Sequence, residues 1–567
     1  MTKEQREQLK KEMDSLPKGG ITYKTINNTP YAYYQWQENG KQKSRTVKGD
    51  ELEELSAKLA RKKAIRAVLN GSAPLESLGI PSILKDKVQR EYLCNVIVGS
   101  DLKHLIANAE GKRPRFALKE LENYLYCEPN GKMFVLYGLK QSGKTTLMHQ
   151  ALANMKPADR KKAVYVQIQG NQKIEDLQKD LWKLHTKGVK YVFADEITNA
   201  SDFIEGSSVF SEVFIPLGMK IVLSGANSLE FVFAGRKQLY DKCMFCHITP
   251  LLYKEFCEIF GKVPFTSYLK YGGHLKYADE RDAFLQKGRA DEHIDSCVTQ
   301  NISASLAACH NEVAYGSLWD LQNTKKLEKA INWYIKHVNQ EDAFEIFKDA
   351  FKLENISGLK DLISDGFSDE ITPDAEEQIR SFLDLTDLTA EISEDKAEAR
   401  RLTAQKQVFL IPTLRYAQSI DLLKNFIYDL VFADETAEEK RKILNISTEK
   451  LLEAMVRDQV LLETSIAFLG PDRKNPKRNV EIQRLKLENS TVDMLIFWPE
   501  KRVCQIYSIS ADGAAQKELA SPINDAANFA EIERLYGRIT GRGVLYLGPS
   551  CEFNGIAYLN IEDYLTK

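Results

Sequence analysis

Met133-Phe134-Val135-Leu136-Tyr137, then Gly138-Leu139-Lys140-Gln141-Ser142-Gly143-Lys144-Thr145, then Thr146-Leu147-Met148 and on to Met155 is the stretch whose reading decides the fold. The first run is short, apolar and of strand type, and the last has a helical pattern. Between them the spacing is G-x-x-x-x-G-K-T. Two glycines let the backbone curl so that successive N–H groups face one anion, at the positive end of the following helix. In this reading Gly138 through Thr146 bind a nucleotide. Lys144 reaches the β- and γ-phosphates as a point charge, and Thr145 offers a hydroxyl to Mg2+, which prefers oxygen ligands. A chance glycine-rich turn is the bland alternative.

A second stretch decides between the two. Tyr191-Val192-Phe193-Ala194-Asp195-Glu196 is another buried-strand run, and it ends in two acids 51 residues after Lys144. A strand of this kind brings Asp195 to the metal and Glu196 to where an attacking water would sit as its base. Ala163–Ile168 and Lys220–Ser228 are two further strand runs with helical patterns between them. Strand–helix repetition predicts a parallel sheet flanked by helices, with ligand at the strands' carboxyl ends. The run at 220–228 ends in small polar residues, which makes Ser224 and Asn227 candidates for sensing the γ-phosphate; an ordinary turn is the alternative at either. Loop and acid strand together predict a nucleotide-hydrolysing core that uses Mg2+; that the nucleotide is ATP is implied only by the family resemblance given below.

The rest of the chain must be organised around that core. At 567 residues it is long enough for three or four domains. The divisions expected are a small basic module at 1–70, the core with leading helices at 80–275, a helical lid or winged-helix region with acidic linker at 276–400, and an α/β domain at 405–567. Net charge is −2, so no whole-chain field favours nucleic acid or membrane. Charge is unevenly spread, however. Residues 1–70 carry 15 Lys/Arg against 9 Asp/Glu, and residues 360–401 carry 5 against 13. The charged N-terminus and the lack of an apolar run approaching 18 residues point away from export and membrane, towards the cytoplasm. Nine cysteines without framework spacing fit a reducing compartment. Cys243-Met244-Phe245-Cys246-His247 matches a haem-attachment pattern, but it lies on an apolar run inside the core and reads as structural thiols.

In the N-terminal module, a helix to about residue 16 precedes three strand runs at 21–26, 31–37 and 41–48, and a charged helix follows at 51–69. Tyr23, Tyr31, Tyr33, Tyr34 and Trp36 are interspersed with Lys24, Lys41, Lys43 and Arg45. Such interleaving suits a nucleic-acid surface; equally, a sheet this small needs its rings inside as core.

At Ser224-Gly225-Ala226-Asn227-Ser228, Gly235-Arg236, Pro250-Leu251-Leu252-Tyr253-Lys254-Glu255-Phe256 and Tyr268-Leu269-Lys270-Tyr271-Gly272-Gly273 the core resembles a prokaryotic ATPase family. That family is related to archaeal-type and signal-transducing NTPases of the AAA+ class. The resemblance covers about residues 115–275 and implies Walker A and Walker B roles for 138–145 and 191–196. It makes Arg236 a sensor candidate, and Arg236 and Lys242 candidates for a trans-acting cation in a homo-oligomer. Leu252 stands where the family has serine, and Pro250 lies 14 positions after Arg236, farther than the family pattern.

The C-terminal third resembles a restriction-endonuclease-like core. Helical patterns near 416–432 and 448–464 precede strand runs at 492–497 and 502–510, a helix around 515–538 and a strand at 544–547. Such nucleases hold Mg2+ with an Asp and an E-x-K. Asp493 fits the first position, but Ser508-Ile509-Ser510 stands at the second, and Arg457 where a helix glutamate belongs. Two hydroxyls replace neither a carboxylate nor a cation, so a degenerate nuclease-like domain is expected, binding double-stranded DNA or a protein rather than cutting. The whole reading is thus α/β: a P-loop NTPase sheet with flanking helices, a small N-terminal β-hairpin/helix module and a C-terminal nuclease-like domain.

Overall fold

The computed structural model describes residues 9–10, 12–13, 15–26, 29–38, 41–47 and scattered positions from 51 to 69. It then describes 91–127, 131–170, 172–226, 230–231, 234, 239, 241–275, 285–286, 289–308, 315–351, 371–386, 388–396, 401–430, 432–469 and 479–567. The chain divides into two compact units, residues 1–92 and residues 93–567.

In the first unit β1 (Gly20–Ile26), β2 (Thr29–Glu38) and β3 (Lys41–Val47) form an antiparallel sheet in that order. The register places Ala32 opposite Val47 and Tyr34 opposite Arg45. Leu52, Leu55 and Leu59 cover that face, packing on Ala32, Val47 and Tyr34. Tyr34 stacks on Trp36 at 5.0 Å, with the Arg45 guanidinium 6.0 Å from its ring. Part of the aromatic set therefore does serve as core. Alternation along β2 and β3 sends Tyr33, Gln35, Ser44 and Thr46 to the other face.

The second unit holds two sheets. One comprises β4 (Asn95–Val98), β5 (Met133–Tyr137), β6 (Ala163–Gln167), β7 (Tyr191–Asp195), β8 (Lys220–Gly225) and β9 (Cys243–His247), ordered β4-β6-β7-β8-β5-β9. All neighbours from β6 to β9 run parallel, and β4 alone is antiparallel. Residues 80–130 read as helices throughout; β4 corrects that, its four residues being too short to show a strand period. Helices α1 (Ala117–Tyr126), α2 (Lys144–Asn154) and α3 (Ile174–Thr186) flank the sheet. Cys243 to His247 pair in register with β5, His247 stacks on Tyr137 at 4.5 Å, and burial pushes the Cys243 and Cys246 thiols up to about 12. Among the described residues no cluster of three or more His, Cys, Asp or Glu side chains could hold a metal ion.

The other sheet has eight strands: β10 (Thr389–Lys396), β11 (Arg401–Phe409), β12 (Glu481–Lys486), β13 (Thr491–Trp498), β14 (Val503–Ile509), β15 (Arg538–Tyr546), β16 (Cys551–Phe553) and β17 (Ile556–Asn560), ordered β11-β10-β12-β13-β14-β15-β17-β16. A helix at Ala437–Leu469 precedes the antiparallel run β12-β13-β14, and a helix at Ala526–Tyr536 carries the chain to β15, parallel to β14. The sheet starts at Thr389, inside the stretch expected as acidic linker. Its acids hid a buried face: Ala375, Ile379, Phe382 and Leu383 of the helix Pro373–Leu385 are covered, and Arg380 pairs with Glu391 of β10 at 2.8 Å.

One core runs across the expected boundaries. Tyr253 and Phe256 of helix Tyr253–Phe260, and Phe265 and Tyr268 of helix Phe265–Tyr271, share it with Phe344, Phe426, Val460, Ile482, Met494 and Leu545. Each such side chain contributes about 1.5–3 kcal/mol on burial, so the joint is as firmly packed as either sheet.

Candidate nucleotide site

The site lies where β5, β7 and β8 end. Gly138 has φ +144°, and a Cβ there would meet the Ile248 carbonyl oxygen at 2.3 Å, so only glycine fits. Gly143, at φ +94°, is the left-handed cap from which α2 begins. Leu139 is buried, Lys140 and Gln141 are exposed, and Ser142, Thr145 and Thr146 are half-buried around the loop. Lys144 is buried and folds back onto its own loop, donating to the carbonyls of Gly138 at 2.9 Å and Leu139 at 2.8 Å. Burial lowers its pKa to about 8 despite the nearby Glu196 and Asp195 charges.

Because β8 stands between the loop strand and the acid strand, its end faces both. Asp195, 1% exposed, gathers donors from four elements. Thr145 donates to its Oδ2 at 2.7 Å and the Tyr165 hydroxyl at 2.5 Å. Ser224 donates to Oδ1, as does the Glu196 backbone N–H at 3.1 Å. None of these donors carries a positive charge, so none of these contacts is an ion pair. Hydroxyl and carboxylate oxygens are the donor set Mg2+ takes, and Thr145 with Asp195 fits the ion.

Glu196 sits at φ +54°, in the left-handed region just past the end of β7. Burial first, and then the Asp195 charge, raise its pKa; Lys144 and Lys140 pull the other way. A carboxylate with raised basicity is what a water-activating base needs. The structure thus brings Lys144, Thr145, Asp195, Glu196 and Ser224 together. Asn227 and Arg236 lie outside the described residues, and Lys242 is paired with Glu212 at 2.8 Å.

Two residues here escaped sequence reasoning. Tyr165 looks like any strand aromatic. Arg115, 7% exposed, donates to the Ser142 carbonyl at 2.8 Å and forks onto Glu255 at 3.0 and 2.5 Å. Only their long-range partners mark them.

In the C-terminal sheet Asp493 accepts the Ile509 N–H at 2.8 Å, with the Arg457 Nε 3.9 Å away. Burial raises its pKa, against the pull of Arg457 and Arg484. Asp458, the residue after Arg457 on the helix Ala437–Leu469, is 2% exposed and takes Lys406 at 2.9 Å, Arg415 at 2.8 Å and Arg484 at 2.8 Å. Burial alone would raise its pKa, yet the three cations hold it well below the usual range. Arg484 and Lys486 also bind Glu394, at 3.0 and 2.8 Å.

Residues 130–257 match the family model of the AAA domain, and the loop, the acid strand and the parallel strands β5 to β9 fall within that span. Over that span the chain is similar to AAA domains, and its parallel-rich sheet with flanking helices has the fold of a P-loop NTPase. Residues 1–57 match a domain of unknown function, DUF6788. No curated protein matches the chain. Among solved structures it is similar to the S. cerevisiae Hsp104–ADP complex, at 12% identity and a TM-score of 0.25, over 68% of this chain. It spans about half of that Hsp104 chain, 52%.

Proposed function

We propose that the protein is an Mg·ATP-dependent ATPase or nucleotide switch. The observation that carries this reading is the 2.7 Å contact between the Thr145 hydroxyl and Asp195, set beside the buried Lys144. In it, backbone N–H groups of 138–146 hold the phosphates, Lys144 neutralises them, Glu196 orients the attacking water as base, and Ser224 holds Asp195. Mg2+ on Thr145 and Asp195 would supply charge neutralisation of the β- and γ-phosphates. The test is ATP hydrolysis by wild type and Lys144→Ala: turnover that drops by about 10²–10³-fold in the variant supports the reading, and turnover indifferent to Lys144 sinks it.

The partner is double-stranded DNA or a protein, and a homo-oligomer accords with the AAA domain. For DNA speaks the excess of Lys/Arg in 1–70, together with the polar sheet face bearing Tyr33, Gln35, Ser44 and Thr46. Stimulation of turnover by duplex DNA would favour it; indifference turns the search to proteins. The C-terminal domain acts as a binding rather than cutting module, because Asp493 is flanked by Arg457 in place of a second metal-binding acid. A second reading, ATP as a tightly held structural ligand, finds support in Lys144 turning inward on its own carbonyls. Glu196→Gln separates the two.

A further inference from the structure

Two motifs, Pro250–Phe256 and Tyr268–Gly273, have no task in the chemistry above, yet they lie between the phosphate loop and the C-terminal domain. On one side stands Arg115. Its guanidinium spans a buried carboxylate and a loop carbonyl, with Nε and Nη2 on Glu255 and Nη1 on Ser142. The Phe116 N–H also donates to Glu255, at 3.0 Å. The carbonyl of Ser142 and the N–H of Gly143 belong to one planar trans peptide and point in opposite directions. Holding the carbonyl from behind therefore aims the Gly143 N–H into the loop, where phosphate would lie.

On the other side the same two helices are held by the C-terminal domain. Helix Tyr253–Phe260, which carries Glu255, has its first N–H bound by Glu463 at 2.9 Å. Helix Phe265–Tyr271 has its first N–H bound by Glu562 at 2.9 Å, beside a Lys262–Asp563 pair at 3.2 Å. Thr413 donates to the Lys270 carbonyl at 2.7 Å. Gly273, at φ +87°, comes so close that a Cβ would meet Pro412 at 2.7 Å. Orphan helix N–H groups are ordinarily satisfied locally; here carboxylates about 200 and 300 residues away do so.

We propose that Arg115 is a positioning residue for the phosphate loop, and that the helix pair 253–271, tied to it through Glu255, transmits nucleotide occupancy to the C-terminal domain. The proposal rests on the nucleotide reading of 138–146. Because coupling is reciprocal, loosening the far contacts must alter nucleotide affinity.

The experiment is binding of a fluorescent ATP analogue with Mg2+, read beside the melting temperature, for wild type, Arg115→Met, Arg115→Met/Glu255→Gln and Glu562→Ala. Arg115→Met is expected to weaken binding roughly 10- to 100-fold, as misplaced positioning groups do, and to lower the melting temperature because Glu255 is left buried and unpaired. In the double variant the melting temperature recovers while binding stays weak; a purely structural role would restore both together and overturn the positioning assignment. Glu562→Ala, far from the loop, is expected to shift affinity by about threefold or more. Affinity unchanged in Glu562→Ala overturns the transmission, and affinity unchanged in Arg115→Met overturns the positioning. No binding by wild type overturns the nucleotide reading itself, and this inference with it.

Discussion

Asp195 and Asp458 are both buried carboxylates at the heart of an α/β sheet domain, yet their surroundings are opposite. Asp195 is held by Thr145, Tyr165, Ser224 and one backbone N–H, all neutral. Asp458 is held by Lys406, Arg415 and Arg484. Neutral donors orient a carboxylate without cancelling its charge, so a cation can still be drawn to it. Three cations leave it nothing to offer a metal, and Arg457 beside Asp493 extends the same condition to the next acid. The first arrangement leaves a carboxylate able to take a metal ion, as the proposed function requires; the second holds a fold together.

The sharpest way to break this comparison is Glu196→Gln. If the first acid pair is catalytic, turnover falls about 10²–10⁴-fold while ATP binding is retained; unchanged turnover would move Asp195 and Glu196 towards the structural class. Next in size, Asp458→Ala leaves three cations facing each other, and a loss of about 3–5 kcal/mol is expected in urea unfolding. Asp195→Asn, which keeps an acceptor for its neutral donors, should cost about 1–3 kcal/mol at most. Equal losses would erase the distinction.

A third buried acid, Glu463, sharpens it further. Burial raises its pKa to about 7 from the ordinary glutamate value of 4.5, despite hydrogen bonds from Gln459 and the Tyr253 N–H. The folded protein thus binds this proton more tightly than the unfolded chain. Its contribution to stability is full below about pH 4.5 and is lost as pH rises through about 7. Glu463→Gln should remove that dependence and leave the protein about 1–3 kcal/mol more stable at pH 8 than wild type; a pH profile identical to wild type would show the charge to be well solvated. Smallest is the effect at Lys144. With its pKa near 8, ATP affinity should be level below pH 8 and fall by about tenfold per pH unit above it. Flat affinity to pH 10 would mean that the lysine is charged throughout.

What the chain discloses before folding follows the same divide. The phosphate loop and the acid strand are legible because contiguous residues encode them, with Gly138, Gly143 and Lys144 in one turn and Asp195 closing an apolar run. Ser224 is legible as the polar end of a strand. Tyr165, Arg115 and Glu255 are not, since each acts only through partners 27 to 140 residues away. The cations of Asp458 come from 52, 43 and 26 residues off and read singly as surface charge. The strand at 95–98 is too short to declare itself, and the acids around Pro373–Leu385 mask a helix with one covered face.

The core shared by Tyr253, Phe256, Phe265 and Tyr268 with the C-terminal sheet has a consequence for heredity. A fragment ending after Gly273 would carry every residue of the nucleotide site and yet present a bare wall of rings to water, with the Tyr253 and Phe265 amides stripped of their acceptors. Recombination that grafted a new partner-binding module at that seam would have to bring matching carboxylates and apolar surface with it. The two halves are therefore bound to diverge as one piece, each substitution on one side of the seam judged by the residue it meets on the other.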